Sequence, residues 1–358
     1  MAGDAAADAP ARAGAETPPA GRRAARDHPS PVPLSTLIQA SHRLTARDLY
    51  LAQLLSEHRT LTTAQIAALL FHHPTTARNR LCQLREFGFL DRFRHTMPNG
   101  TQAVCWVPGL LAARYAALAA GRAAPTPRAV RLQQDQIVAS PNLNHQLGVN
   151  QFFTDLIHHT RTHPETRLVR WWSAERTAAA FAGRIHPDGH GVWRVGADLA
   201  QPVGQDGRQD AGQAFERHDT RHDTCHDSDR RDPPDPDRHP GGVTVGFWLE
   251  HDMGSMSVPR VVAKLKAYQR LQSTGGPAFP VLIWVPHGQR ERNMLRALTD
   301  EPTGEEVAAA TGVHRGGHGE PAGMVWLPAT AAAMPATHPE RVRVHLAALP
   351  SDPIPPQS

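Results

Sequence analysis

The sequence predicts an α+β chain with two ordered parts, an N-terminal winged helix-turn-helix and a C-terminal α/β domain, separated by solvated stretches. Three observations predict this. Two helix starts share one signal, at Leu44-Thr45 and Leu61-Thr62; a third helical pattern runs into a hairpin signal at Asn99-Gly100; and beyond residue 140 apolar strand-like runs alternate with helical ones.

The 358 residues suffice for two domains at roughly 100–200 residues each. A hydrophobic content of 40% is too high for full disorder, while 32 Pro and 28 Gly are too many for one continuous globule. The expected organisation is a disordered tail over 1–40, a DNA-binding domain over 41–122, an α/β domain over 140–300 with a disordered insertion at 200–241, and an Ala/Pro/Gly-rich region over 301–358. The formal charge of +4 and the pI near 9.3 suit a polyanionic partner. All but two of the 38 basic residues are arginine, which singles out Lys264 and Lys266. Cys82, Cys105 and Cys225 form no CxxC pair, which argues for a reducing compartment. No apolar run reaches the roughly 18–20 residues that a membrane span needs, and the N-terminus lacks the apolar core of a signal peptide. The expectation is a cytoplasmic protein with no membrane partner.

In the first ordered part, Thr45 and Thr62 each suit an N-cap, and Gln65 can complete a capping box. Leu44 with Leu49, and Leu61 with Ile66, have the spacing of a hydrophobic staple. These signals predict helices over about 45–57 and 63–71. A third helix starts at Pro74, a residue suited to the first helical position. Ala77, Leu81, Leu84 and Phe87 form its buried face, and Gly88 ends it. Thr75, Thr76, Arg78, Asn79 and Gln83 are then left pointing outward, the residue types that meet phosphates and base edges in the major groove. A hairpin follows from Phe89–His95 through Met97-Pro98-Asn99-Gly100 to Thr101–Trp106, with Arg92 and Arg94 along this wing. From Ser41 to His95 eight Arg face four acidic residues, a balance of +4. The same fold also serves as a protein–protein module; the composition of the third helix favours double-stranded DNA.

Further on, helices are expected over Gly109–Ala120 and from Asn142 to about His159, with a Pro-containing connection at Ala123–Pro127 between them. Strands are expected at Leu168–Trp172, ending near Ile185, at Gly191–Val195, at Val243–Glu250 and at Phe279–Val285, with a helix over Val258–Leu271. Two short strands are suggested at Met324–Leu327 and Val342–Leu346.

With these residues in view, the chain resembles the replication-relaxation family of plasmid- and mobile-element-associated proteins. The resemblance runs from about Leu44 to about Leu298, outside the insertion. It rests on the winged helix, Asn144-His145-Gln146-Leu147-Gly148-Val149-Asn150, Trp171–Glu175, His186-Pro187-Asp188-Gly189, and Phe247-Trp248-Leu249-Glu250-His251-Asp252 followed by Lys264 and Tyr268. It implies a role in plasmid replication, relaxation or transfer, with replication or transfer proteins as partners. It also implies a restriction-endonuclease-like, PD-(D/E)XK-type fold for the C-terminal region.

The residues themselves add a chemistry to weigh. A Pro-Asp after a strand, followed by a strand ending in Glu, sets Asp188 and Glu250 at neighbouring strand ends, with Glu175 as a third acidic group upstream. Such carboxylates hold Mg²⁺, which neutralises phosphate charge and activates water. Nuclease motifs of this type place a lysine two residues past the Glu; here Asp252 stands there, and Lys264 or Lys266 is left to supply the amine. The alternatives are a DNA-binding accessory protein with a degenerate site, a Mg²⁺-dependent DNA endonuclease or nickase using Asp188, Glu250 and Lys264, and a transcription regulator whose C-terminal part senses a ligand. His218, His222 and His226 read as a low-complexity repeat rather than a metal site, His145 as a structural histidine, and Trp171 and Trp172 as core and interface.

Overall fold

The computed structural model describes residues 43–196, 242–300, 307–314, 320–332 and 343–354. The expected tail at 1–40, the insertion at 200–241 with its His218/His222/His226 series, and 301–306, 315–319 and 333–342 in the C-terminal region lie outside the described residues.

Three helices open the described chain: α1 (Ala46–His58), α2 (Thr63–Leu70) and α3 (Pro74–Glu86). Both predicted caps form as reciprocal boxes. Thr45 accepts from the Asp48 N–H while its own N–H donates to Asp48, and Thr62 and Gln65 do the same. Pro74 is the first residue of α3, as its missing N–H favours. Gly88, at φ +68°, ends α3 in a Schellman motif: its N–H donates to the Arg85 carbonyl, and the Phe89 N–H to that of Leu84. Phe87 is only half-buried, because it caps α3 instead of extending its apolar face.

Strands β2 (Leu90–Thr96) and β3 (Gln102–Pro108) pair antiparallel, and the short β1 (Leu61–Thr62) joins on the far side of β3. The Gly100 N–H donates to the Met97 carbonyl at the tip, and Gly100 sits at φ +82°, where a side chain would be strained. Leu51, Leu55, Ile66, Ala77, Leu81, Leu84, Leu90 and Trp106 close the core of this unit.

Two more helices, α4 (Leu110–Ala119) and α5 (Pro127–Val138), lead to the long α6 (Leu143–His159). The sequence reading treated Ala123–Pro127 as connection only. In fact Thr126 caps α5, with Pro127 at its first position. Then come β4 (Thr166–Ser173), α7 (Ala174–Ala180), β5 (Gly189–Val195), β6 (Val243–His251), α8 (Val258–Ala263), α9 (Leu265–Ser273), β7 (Val281–Val285), α10 (Gly288–Asp300), β8 (Ala309–Val313), β9 (Leu327–Pro328) and α11 (Ala329–Ala332).

The six strands form one mixed sheet in the order β4-β5-β6-β7-β8-β9. The first three make an antiparallel meander, β6-β7-β8 are parallel, and β9 is antiparallel. The sheet thus continues past Asp300, and Trp326 bridges to Val344. No strand ends at Ile185. Ala182 and Gly183 both have positive φ, which breaks an extended run, and Ile185 is buried from a loop laid over the sheet. The predicted helix over Val258–Leu271 divides at Lys264, where i→i+3 bonds tighten the turn.

Helix α6 belongs to both halves of the molecule. Phe152, Phe153 and Leu156 pack on the sheet, against Phe247, Trp171 and Trp284. Toward the N-terminal unit, Gln65 Nε2 donates to the Leu147 carbonyl at 2.9 Å, and the fully buried Asn150 donates to the Thr60 carbonyl at 2.7 Å. His58 of α1 stacks on Trp171 of β4 with ring centroids 3.7 Å apart. No helix of the described residues is long and apolar enough to cross a membrane.

Candidate functional site

Alternation along β6 sends Phe247, Leu249 and His251 toward α6, and Trp248 and Glu250 toward α8 and α9. Asp188 enters β5, whereas the sequence reading had it leaving a strand. Because β5 and β6 are antiparallel, the start of one and the end of the other share a sheet end. Asp188 therefore still neighbours Glu250: its N–H donates to the Leu249 carbonyl at 2.8 Å.

Glu250 is buried, and both of its oxygens are engaged. Lys264 Nζ lies 2.5 Å from Oε2, and Tyr268 Oη donates to Oε1 at 2.7 Å. The break between α8 and α9 is what brings the Lys264 amine to the sheet, while Lys266 is exposed. Asp188 Oδ2 accepts from the His251 N–H at 2.8 Å and from His145 Nε2 at 3.1 Å. His145 Nε2 also lies 3.1 Å from the His251 carbonyl. Both neighbours are acceptors, so this nitrogen carries the proton.

Burial raises the Asp188 carboxyl above its ordinary range. It raises Glu250 further, with the Asp188 charge adding to the effect. Lys264 is held above its ordinary value, because the attraction of Glu250 and Asp188 outweighs the cost of burying the ammonium. Burial also lifts the Tyr268 phenol well above its usual value, and burial together with the Lys264 charge lowers His145. The cluster is thus two carboxylates whose charge is only partly offset by one ammonium.

Asp252, which stands where nuclease motifs carry lysine, has a different role. Arg290 holds it by Nε at 2.6 Å, and its Oδ1 accepts from the Gly254 N–H. Glu175 lies exposed in the first turn of α7. His145, read from sequence as structural, touches Asp188 directly. Arg290 gave no signal in the sequence, since its pairing depends on the α10 packing.

The donor chemistry suits a divalent ion in type, since carboxylate oxygens are what Mg²⁺ takes. Yet Lys264 already supplies the counter-charge to Glu250. Among the described residues no three His, Cys, Asp or Glu side chains are grouped to hold an ion.

On the other side of the sheet, a cleft of about 1110 Å³ runs between the N-terminal unit and α6. Arg78, Cys82, Arg92, Asn144, His251 and His314 are among its lining residues. Thr75, Thr76, Arg78, Asn79 and Gln83 are all exposed on α3, and Arg94 is exposed on β2. Arg92 is half-buried, its guanidinium 5.9 Å from the Trp106 ring centre. Arg80 is taken up by a buried pair with Asp48, 2.5 Å from Oδ2, and by the Arg43 carbonyl.

The family model described as Replication-relaxation matches residues 53–280, from within α1 to beyond the end of α9, and so reaches both halves of the molecule. The chain belongs to the replication-relaxation family. Membership points to a role in replication or relaxation. Comparison with curated proteins and with solved structures found no match.

Proposed function

We propose that this member of the replication-relaxation family binds double-stranded DNA through residues 43–108, a winged helix-turn-helix. It would act as an accessory factor in the replication, relaxation or transfer of plasmid or integrative-element DNA. The observation that carries this reading is the outward face of α3. Thr75, Thr76, Arg78, Asn79 and Gln83 stand exposed there, and Arg80 is held by Asp48 while its Nη1 donates to Gln83 Oε1 at 3.2 Å. In this reading Thr75, Thr76, Arg78, Asn79 and Gln83 enter the major groove, and Arg92 and Arg94 brace the backbone. Replication or transfer proteins of the same element are the expected partners. Measuring duplex affinity against salt tests the reading: phosphate contacts release counterions, so binding must weaken steeply as salt rises. A purified chain with no affinity for any duplex at low salt refutes it.

A second reading is favoured by the convergence of Asp188, Glu250 and Lys264. The order α6, a three-strand meander, α8 and α9, then the parallel β7 supports a restriction-endonuclease-like unit. In that reading Asp188 and Glu250 would hold Mg²⁺, which would supply charge neutralisation and water activation at a phosphodiester. Supercoiled plasmid incubated with the protein and Mg²⁺ separates the two readings. Nicking lost in Asp188→Ala supports the enzyme, and a gel shift without nicking supports the binder.

A further inference from the structure

Helix α6 gives the cleft one stripe of residues at helical spacing: Asn144, Leu147, Gly148, Gln151, Asp155 and His158. From Asn144 to His158 the stripe is about 21 Å long, so the cleft is an elongated groove. The N-terminal unit supplies the other wall, where Arg92 and Trp106 are paired across the wing and both line the groove. Gln65, Trp106, Leu147 and His251 line it while buried, which sets its floor below the molecular surface. Bases stacked in a duplex do not reach such a floor; a base has to leave the stack to enter.

The lining is basic. Arg78, Arg92 and Arg161 stand against a single carboxylate, Asp155. Among the described residues none of the three arginines pairs with a carboxylate. Arg161 spends one N–H on the Phe71 carbonyl at 2.7 Å, Arg92 lies near the Trp106 ring, and Arg78 is exposed. Asp155 already accepts from Gln151 Nε2 at 2.6 Å, and burial, with the Glu320 charge adding to it, raises its pKa to about 6. Ala68, Phe71, Met97 and Val104 supply apolar surface between these polar groups. Guanidiniums spaced along a partly apolar groove match a single strand, whose phosphates take the charges and whose bases take the apolar wall. Arg78 and Arg92 belong also to the face proposed above to meet the duplex, so the groove opens where that duplex docks. His251 lines the groove too, and its N–H donates to Asp188.

We propose that this groove binds an unpaired DNA strand, with its phosphates on Arg78, Arg92 and Arg161, and brings that strand to the β6 end beside Asp188. This rests on the DNA-binding reading above and adds to it a single-stranded site with one wall outside residues 43–108. The protein then recognises a junction, a duplex on α3 with an unpaired strand leaving it into the groove.

The test uses the full chain with a blunt duplex of mixed sequence and the same duplex carrying a 5′ or a 3′ single-stranded tail of about ten nucleotides. In wild type one of the tails should tighten binding about tenfold over the blunt duplex. Arg161→Gln removes a charge that only the groove uses; it should lower the salt slope for that tailed probe by about 0.7 and leave the blunt duplex unchanged. Gln151→Trp, at an exposed α6 position, fills the groove and should abolish the advantage of the tail with blunt binding kept. Retained blunt binding shows that each variant is folded, and should Gln151→Trp unfold, Arg161→Gln alone decides. A blunt duplex that binds as tightly as both tailed probes overturns the proposal, and so does a tail advantage that survives Arg161→Gln. The first of these results is also what a groove built for an extended peptide gives. In either case the duplex reading stands. If wild type binds none of the three probes, the DNA-binding reading falls and takes this site with it.

Discussion

His58 is fully buried at the junction of α1 with the sheet, stacked on Trp171, and its Nε2 has no hydrogen-bond partner among the described residues. Burial, and after it the Arg176 charge, depress its pKa to about 3. Below pH 6.5 the unfolded chain takes up a proton that the folded chain refuses. The stability that neutral His58 contributes is therefore fully present above pH 6.5 and is lost progressively as pH falls toward 3. The loss runs at about 1.4 kcal/mol per pH unit, or about 2 kcal/mol between pH 6.5 and pH 5.

Other groups work in the opposite direction over this range. Asp155, for instance, is raised to about 6, chiefly by burial. Wild-type stability alone is thus a poor readout, and the informative quantity is a difference. His58→Phe keeps a ring against Trp171 and removes only the titration. Any packing cost, about 1–3 kcal/mol, does not depend on pH. Urea unfolding of both proteins at pH 7.5 and pH 5 should show the variant gaining about 2 kcal/mol relative to wild type at the lower pH. A difference that stays constant across the two pH values would refute the burial argument.

Three further outcomes follow from contacts described above. Asp48→Ala removes one partner of a buried pair and half of a capping box, and should cost about 3–5 kcal/mol in urea unfolding. Burial pushes the Asp48 carboxyl up, but Arg80 and Thr45 outweigh it and hold it low; its contribution is present above about pH 4 and lost as pH falls through the lower folded value. In Gly148→Ala the new Cβ would clash with His251 Nε2. The displacement of α6 from β6 should cost about 1–3 kcal/mol, and an unchanged Tm would contradict the packing. Arg94→Ala should lower the salt slope of duplex binding by about 1 in a fluorescence anisotropy titration, while Arg78→Ala should also relax sequence preference.

Local signals were legible wherever the chemistry is local. Both Thr caps, Pro74, Gly88 and the Asn99-Gly100 turn each act through residues within a few positions, and the three-helix unit with its hairpin follows from them. Strand β8, Ala-Ala-Thr-Gly-Val, was missed because small residues carry little strand preference. It is a strand because β7 and β9 flank it, and Gly312 leaves room for Trp284. Helix α5 was missed because Pro127 was read as a break when it is a start. At the site, Asp188, Glu250 and Lys264 were all named from sequence, and the structure brings them together. His145 and Arg290 were not assigned there, because their roles arise from α6 and α10 crossing the strand ends, tens of residues away in the chain.

Helix α6 carries a consequence for geometry. Its buried Asn150 and the Gln65 bond to its backbone tie it to one half while its phenylalanines are sunk in the other, so α3 and the sheet are joined through one packed helix. For a duplex docked along α3 as proposed above, the offset from the bases it would meet to the Asp188 carboxylate would be built into the protein like the jaw setting of a caliper. Whatever happens to that duplex at the sheet edge would fall at a constant number of base pairs from the bound sequence.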